Sequence, residues 1–348
     1  MKYLKHLKSY FTLTEVNDNP FRSIILMLAI LIILLVGYFS NSYSVSSISS
    51  IGLFTLFYYR NIPSKSLMKF LGIIGVTLLL AFVLGLLSTI SPWLSPIVVG
   101  IVAFISRLLT RLYNIHKPGA LFYVMVCAMG ASLPLPLSKI FGVICFFTLG
   151  IFLSLLGGYA IKRLDKRKEI RFLDKTFTEA FEQDAIALVD AVFYSMALFL
   201  TVYISHALEL NKPYWVTMAC ASILLVENLE AMKKRHVQYL LGASLGLILS
   251  IFLLQLNISG LLLVLMISSL YGLSQYYVVR NYAVANIFIN PMTILLSTLV
   301  RQTDSTSLIE LRFVGILLGS FIGLGTAWIM KQTLNHYVTT LSEKDGHK

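Results

Sequence analysis

The chain has 348 residues, of which 57% are hydrophobic and only 13% charged, about half the charged share of an ordinary soluble domain. Lysine and arginine outnumber aspartate and glutamate 28 to 16, a net charge of +12. This composition excludes a soluble globular protein. With no zinc-ligand spacing and no aromatic-basic platform, it also gives no support to nucleic-acid binding.

The chain opens with residues 2–11, where Leu4, Leu7 and Phe11 share one face and Lys2, Lys5 and Lys8 are interleaved. That pattern predicts a short basic amphipathic helix on an anionic leaflet, or a frayed tail. Asn19-Pro20 then offers an N-cap and a first-turn proline for the first span. That span is too long for a signal-peptide core, and no small-residue cleavage site follows it, so it is expected to be retained.

Apolar runs near 21–40, 44–59, 69–89, 93–110, 118–133 and 140–161 come first, then a charged linker at 162–183. Six more lie near 184–206, 214–227, 237–256, 258–275, 281–299 and 312–330, before a tail at 331–348. Most are long enough to cross a hydrocarbon core of about 30 Å as helices, and none alternates as a barrel strand does. The fold class is therefore all-α: a polytopic membrane protein with about twelve transmembrane helices.

The runs also repeat. Gly72 lies 170 residues before Gly242, Asn41-Ser42-Tyr43 corresponds to Asn211-Lys212-Pro213-Tyr214, and the turn of Arg107 and Arg111 corresponds to that of Arg280. Two six-helix repeats are expected, 21–161 and 184–330. Transporters built from repeated halves place a substrate path where the halves meet.

With the N-terminus inside, 24 of the 28 basic residues fall in cytoplasmic segments, leaving Lys139, Lys212, Arg301 and Arg312 elsewhere. The positive-inside rule then puts both termini in the cytoplasm. Cys127, Cys145 and Cys220 all lie within apolar runs, which predicts core residues and no metal site.

All sixteen acids lie outside residues 19–164. Asp190 falls about two turns into the seventh span and Glu227 closes the eighth. An ionisable group within a span is costly and thus a functional candidate. Both are candidates for proton coupling; the competing reading pairs Asp190 with Lys233 or Arg235, and leaves Glu227 at the interface.

The short second and eighth spans stand at matching places in the two halves. Ser44, Ser46, Ser47, Ser49 and Ser50 fill one, and Thr217, Cys220 and Ser222 mark the other. Short spans so placed point to a midplane site, although small residues also let helices pack closely. In the eleventh span Asn286 and Asn290 share a face, and Pro291 frees a carbonyl one turn back. Arg280 reads either as a fork for a carboxylate or as a charge that sets topology. Gly242-x3-Gly246 and Gly315-x3-Gly319 are simplest as helix-contact faces.

Pro213-Tyr214-Trp215 opening a short span, then a basic turn and the Gly242/Gly246 helix, resembles the repeat of the fusaric acid resistance and aromatic acid exporter family. The Tyr282-to-Pro291 span and Arg312-x2-Gly315-x3-Gly319 are similar to its closing elements. The resemblance covers 185–330 well and 20–160 more faintly. It implies an efflux protein of the bacterial cytoplasmic (inner) membrane for small organic acids, aromatic ones above all. Export would be driven by proton influx, with a periplasmic adaptor or a second copy of the chain as partners. On that basis Arg280, Asn286 and Asn290 would take the anionic head, Tyr214 and Trp215 the ring, and Asp190 the proton.

The large cytoplasmic domains usual in the family are missing, Tyr239 stands where its pattern often has a basic residue, and Tyr43 is followed by no tryptophan. Plant malate channels resemble single halves, so an anion channel is the alternative; a non-transporting scaffold subunit is another. No phosphate loop, metal-binding histidine pair or serine elbow is found, so neither an enzyme nor a cofactor is expected.

Overall fold

The computed structural model describes residues 8–115, 118–170, 176–184, 186–226, 228–301 and 305–345. Among them all regular structure is helical. The first half holds α1 (Phe21–Phe39), α2 (Tyr43–Gly52, continued by a 3-10 stretch Leu53–Tyr58), α3 (Ser64–Ser88), α4 (Leu94–Leu112), α5 (Leu121–Ala131) and α6 (Leu137–Leu164). A seven-residue helix, α7 (Phe177–Gln183), stands in the linker. The second half holds α8 (Ala187–Ala207), α9 (Tyr214–Ile223), α10 (Leu229–Gln255), α11 (Gly260–Val278), α12 (Tyr282–Arg301) and α13 (Ser305–Asp345).

Among the described residues, nine helices are long and apolar enough to cross a membrane: α1, α3, α4, α6, α8 and α10 to α13. The other three expected spans are α2, α5 and α9, with 10, 11 and 10 residues. Helices of that length rise about 15 Å, half of a hydrocarbon core. Large apolar side chains such as Ile73, Val76, Leu80, Phe152 and Ile248 face outward. In water they would be an aggregation liability; against lipid they are the expected surface.

Polar residues set the helix ends. Asn19 Oδ1 accepts from the Phe21 amide at 3.0 Å, and Pro20 is the cap residue of α1 rather than its first helical residue. Asn228 Oδ1 accepts from Ala231, and Asn281 Oδ1 accepts from both Ala283 and Val284. Each satisfies amide donors that a helix leaves unpaired at its start.

Within the first half α3 packs on α5, α2 on α6, α3 on α6, and α1 on α2. Within the second, α10 packs on α12, α9 on α13, α10 on α13, and α8 on α9. Glycines permit the closest of these crossings. A Cβ at Gly85 would overlap the Cys127 carbonyl, and one at Gly130 the Phe82 carbonyl, where α3 meets α5. Between α10 and α12, Gly242 and Gly246 lie as tightly against the carbonyls of Ala283 and Asn286. Gly72, expected to match Gly242, has nothing beside it.

The halves meet chiefly along three seams, α4 on α8, α1 on α11, and α5 on α9, with a smaller contact of α2 with α12. One apolar core runs through both halves, from Leu78, Phe82 and Val124 to Leu198, Ala219 and Leu247. A second joins Leu26, Ile30 and Ile33 of α1 to Val264 and Ile267 of α11. Of the cysteines, Cys127 and Cys220 are buried as expected, but Cys145 is exposed on the outer side of α6.

Candidate functional site

The second half carries a column of polar and aromatic side chains along α10, α12 and α13. It begins near the end of the bundle that bears the linker. There the Arg235 guanidinium lies 3.7 Å from the ring centre of Tyr282 and its Nε donates to the Ser222 carbonyl. Tyr282 packs against buried Tyr239, ring centres 5.7 Å apart. Tyr239 and Arg235, one turn apart on α10, thus meet on the same Tyr282 ring.

The asparagines continue the column. Asn286 Nδ2 donates to the Tyr282 carbonyl at 2.7 Å, and Asn290 Nδ2 to the Asn286 carbonyl at 2.8 Å. Both are essentially buried. Their spacing of four residues stacks them on one face, and Gly246 lets α10 approach that face closely. With its amide nitrogen so engaged, Asn290 turns Oδ1 toward α13, where Arg312 Nε donates to it at 3.0 Å. Arg312 lies 5.3 Å from the ring centre of Trp215, which opens α9. Lys212 stands over that ring too, at 5.3 Å, and Tyr214 meets it edge-on at 5.8 Å.

The structure therefore brings together Tyr214, Trp215, Asn286 and Asn290, and leaves out Arg280. Arg280 sits at the linker end, where its Nη1 donates to the Tyr276 carbonyl and its guanidinium covers the Tyr276 ring at 3.8 Å. Its place in the column is taken by Arg312, which the sequence reading left as a topological exception. The signal was there: an arginine inside an apolar span is costly and so a functional candidate, by the same reasoning that singled out Asp190.

Asp190 belongs to a different place, the α4–α8 seam. It faces neither Lys233 nor Arg235. Arg107 grips it through Nε at 2.6 Å and Nη2 at 3.2 Å, and Arg111 Nη1 reaches it at 3.2 Å. Arg111 also holds Asp184 at 2.6 Å. The acids missing from the first half thus arrive from the second, to neutralise arginines that one turn of α4 presents on one face. Ser195 adds a bond to the Gly100 carbonyl at 2.9 Å. Glu227, the other proton candidate, lies outside the described residues.

The serines of α2 satisfy backbone carbonyls: Ser46 bonds Ile33, Ser49 bonds Phe146, and Ser50 bonds Ser47. Close packing of α2 between α1 and α6 follows. At the linker end, residues 11–19 run as an irregular strap rather than a continued surface helix. Thr14 donates to the Arg280 carbonyl, Asn281 Nδ2 to the Tyr10 and Thr12 carbonyls, and Arg167 to the Asn17 carbonyl. Residues 2–7 of the expected amphipathic helix lie outside the described residues.

A column of this kind inside a bundle of membrane-length helices marks the second half as the chemically distinctive part, and that half carries the relationship. Residues 200–326 match the family described as fusaric acid resistance protein-like. The match spans α9 to α12 whole, with most of α13 and the end of α8, and so contains every member of the column. The chain is also 25% identical over 146 residues to the "Uncharacterized membrane protein YvaC" of Bacillus subtilis (strain 168), covering 42% of this chain and 23% of that protein. The chain thus aligns with less than a quarter of that relative's length. No solved structure matches the chain. The protein is a multi-pass membrane protein whose residues 200–326 are similar to the fusaric acid resistance protein-like family.

Proposed function

We propose that the chain exports small organic acids, aromatic ones above all, across a bacterial cytoplasmic membrane, driven by proton influx. In this reading twelve membrane segments form two six-helix repeats, with both termini cytoplasmic. Matched packing supports the repeats: α3 on α5 parallels α10 on α12, α2 on α6 parallels α9 on α13, and α4 on α8 parallels α11 on α1. The observation that carries the functional reading is the column that runs from half-buried Arg235 to buried Asn286, Asn290, Arg312 and Trp215, within the stretch that matches the family. Cations held within the bundle suit anions, and an indole face suits a ring.

Asp190 is the proposed proton carrier. Protonation would release Arg107 and loosen the seam on which the halves move relative to each other. Asp190→Asn should then abolish gradient-driven export yet retain exchange of one substrate for another.

The test is flux into proteoliposomes with a panel of carboxylic acids, with and without a pH gradient. Saturable flux that follows the gradient is expected. Failure of every acid to move would overturn the reading. One observation favours an anion channel as the alternative: the column pairs neither Arg235 nor Arg312 with a carboxylate among the described residues. Discrete anion currents in a planar bilayer, following voltage and ignoring the proton gradient, would select it.

A further inference from the structure

Arg22 and Arg312 both carry buried guanidinium nitrogens without a hydrogen-bond partner, but Arg22 has Asp18 beside it at 3.2 Å, and Arg312 has no carboxylate beside it among the described residues. Arg312 is 1% exposed. Its Nε is committed to Asn290 and one face of the guanidinium to Trp215, but Nη1 is buried and donates to nothing among the described residues. Arg107, comparably buried in the α4–α8 seam, has a carboxylate across two of its nitrogens. For Arg312 no carboxylate lies within ion-pair distance among the described residues. A guanidinium removed from water is costly unless an anion and hydrogen bonds compensate. A neutral amide oxygen and an aromatic face answer only part of that cost.

The surroundings define what would complete it. Asn290 fixes the plane of the guanidinium, because its own Nδ2 is tied to the Asn286 carbonyl and only Oδ1 is left to face Arg312. One turn after Arg312, Gly315 brings α13 against Trp215, whose Cβ would lie 3.0 Å from an added Cβ. Ile294 and Leu308 pack with Trp215 in one apolar cluster, and Lys212 stands over the same indole at 5.3 Å. An anion at the Nη1 edge would meet the guanidinium on one side and the indole and apolar side chains on the other.

We infer that Arg312 is the anion anchor of the second half, binding one carboxylate of an aromatic monocarboxylic acid through its Nη1 edge while the ring lies on Trp215. Asn290 is a positioning residue that holds the fork. The inference rests on the transport reading above and moves the head-group role from Arg280 to Arg312. It also gives that reading a selectivity: aromatic monocarboxylates bind better than aliphatic dicarboxylates.

The chain has three tryptophans, so Trp93→Phe with Trp328→Phe leaves Trp215 as the sole reporter. On that background, in detergent micelles, benzoate is titrated against Trp215 fluorescence, with succinate and the neutral analogue benzyl alcohol alongside. Saturable quenching by benzoate is expected, with weaker responses to the other two. Arg312→Gln should raise the half-saturating concentration by at least about tenfold, as loss of a charged hydrogen bond implies. Arg312→Lys, which keeps charge but not the fork, should raise it by about threefold or more. If Arg312→Gln does not fold, the lysine variant and the rise in wild-type melting temperature with benzoate decide the matter. An equal response to benzoate and benzyl alcohol, or equal benzoate affinity in wild type and a folded Arg312 variant, overturns the anchor. Carboxylate flux indifferent to Arg312 would sink the anchor alone. Arg312-dependent benzoate binding without flux of any acid would sink the transport reading alone.

Discussion

The α3–α5 and α10–α12 crossings are built alike and filled differently. In each, two glycines of the crossing press against carbonyls of the facing helix, so the backbones meet without side chains between them. Around the first the neighbours are Phe82, Val124 and Cys127, with one polar link between Thr77 and the Tyr123 hydroxyl at 2.9 Å. Around the second run Arg235, Tyr239, Tyr282, Asn286 and Asn290, ending at Arg312. Close glycine packing is thus a property of the fold, which lipid-embedded helices need because no hydrophobic effect drives them together. The chemistry is added to one crossing only. A second contrast follows the same division: the α4–α8 seam is locked by Arg107, Arg111, Asp184 and Asp190, and the α1–α11 seam by apolar packing.

The largest expected effect tests the shared part. Gly242→Val would drive a side chain into the Ala283 backbone, which cannot step aside as a flexible side chain can. Most of the folded protein should be lost, as judged by fluorescence-detected size exclusion, and Gly85→Val should behave the same way. Gly72→Val, with nothing beside it, should stay within about 0.5 kcal/mol of wild type. Tolerance of valine at both 85 and 242 would show that the two crossings are not held by backbone contact.

Next comes the polar seam. Asp190→Ala leaves Arg107 buried without its anion, which should cost about 3–5 kcal/mol. A thermal-shift measurement in detergent reads this directly. Restoration by the double change Arg107→Leu with Asp190→Leu would show that the pair sets specificity of packing more than stability. No destabilisation from Asp190→Ala alone would mean that water, not α4, compensates the carboxylate.

What the sequence made legible follows the same split. Long apolar runs are unambiguous, so the membrane class and most helix positions could be read directly. The second and eighth spans were legible as short, but not how short α2, α5 and α9 are, because an apolar run continues past a helix end whenever the following turn is itself buried, as at Leu53–Tyr58 and Leu224. Of the column, Asn286, Asn290 and Trp215 were singled out from spacing and motif. Arg280 was preferred to Arg312 because it stands nearer the asparagines in the chain, whereas α13 brings Arg312 back across the bundle from 22 residues beyond Asn290. The partners of Asp190 come from 83 and 79 positions earlier in the chain, a separation no local pattern reveals.

The apolar seam should respond more gently. Ile267→Val on α11 removes one methylene facing α1 and should cost about 0.5–1.5 kcal/mol. The size matters because lipid would solvate an exposed isoleucine as well as a valine; any loss therefore reports packing against α1 rather than removal from water. Equal losses at Ile267→Val and Asp190→Ala would erase the contrast between the seams.

The smallest effect lies where the first half hands over to the linker. Asp165, just past the end of α6, receives bonds from Arg167 Nη2 at 2.6 Å and Nε at 2.9 Å, and from the Tyr59 hydroxyl at 3.1 Å. Hydrogen bonding by the Arg167 side chain, ahead of the opposing cost of burial, holds the carboxyl far below the usual carboxylate range. A folded-state value depressed below the unfolded one contributes stability that is complete above about pH 4, the ordinary aspartate value, and fades as pH falls through the folded value. Arg167 is about a third exposed, so solvent screening limits the pair to about 0.5–1 kcal/mol. Asp165→Asn should therefore lower the melting temperature slightly at pH 7, and the gap from wild type should narrow steadily below about pH 4. A gap unchanged down to pH 2 would mean that Asp165 acts through the shape of the turn, since an amide and a protonated carboxyl accept from Arg167 in the same way.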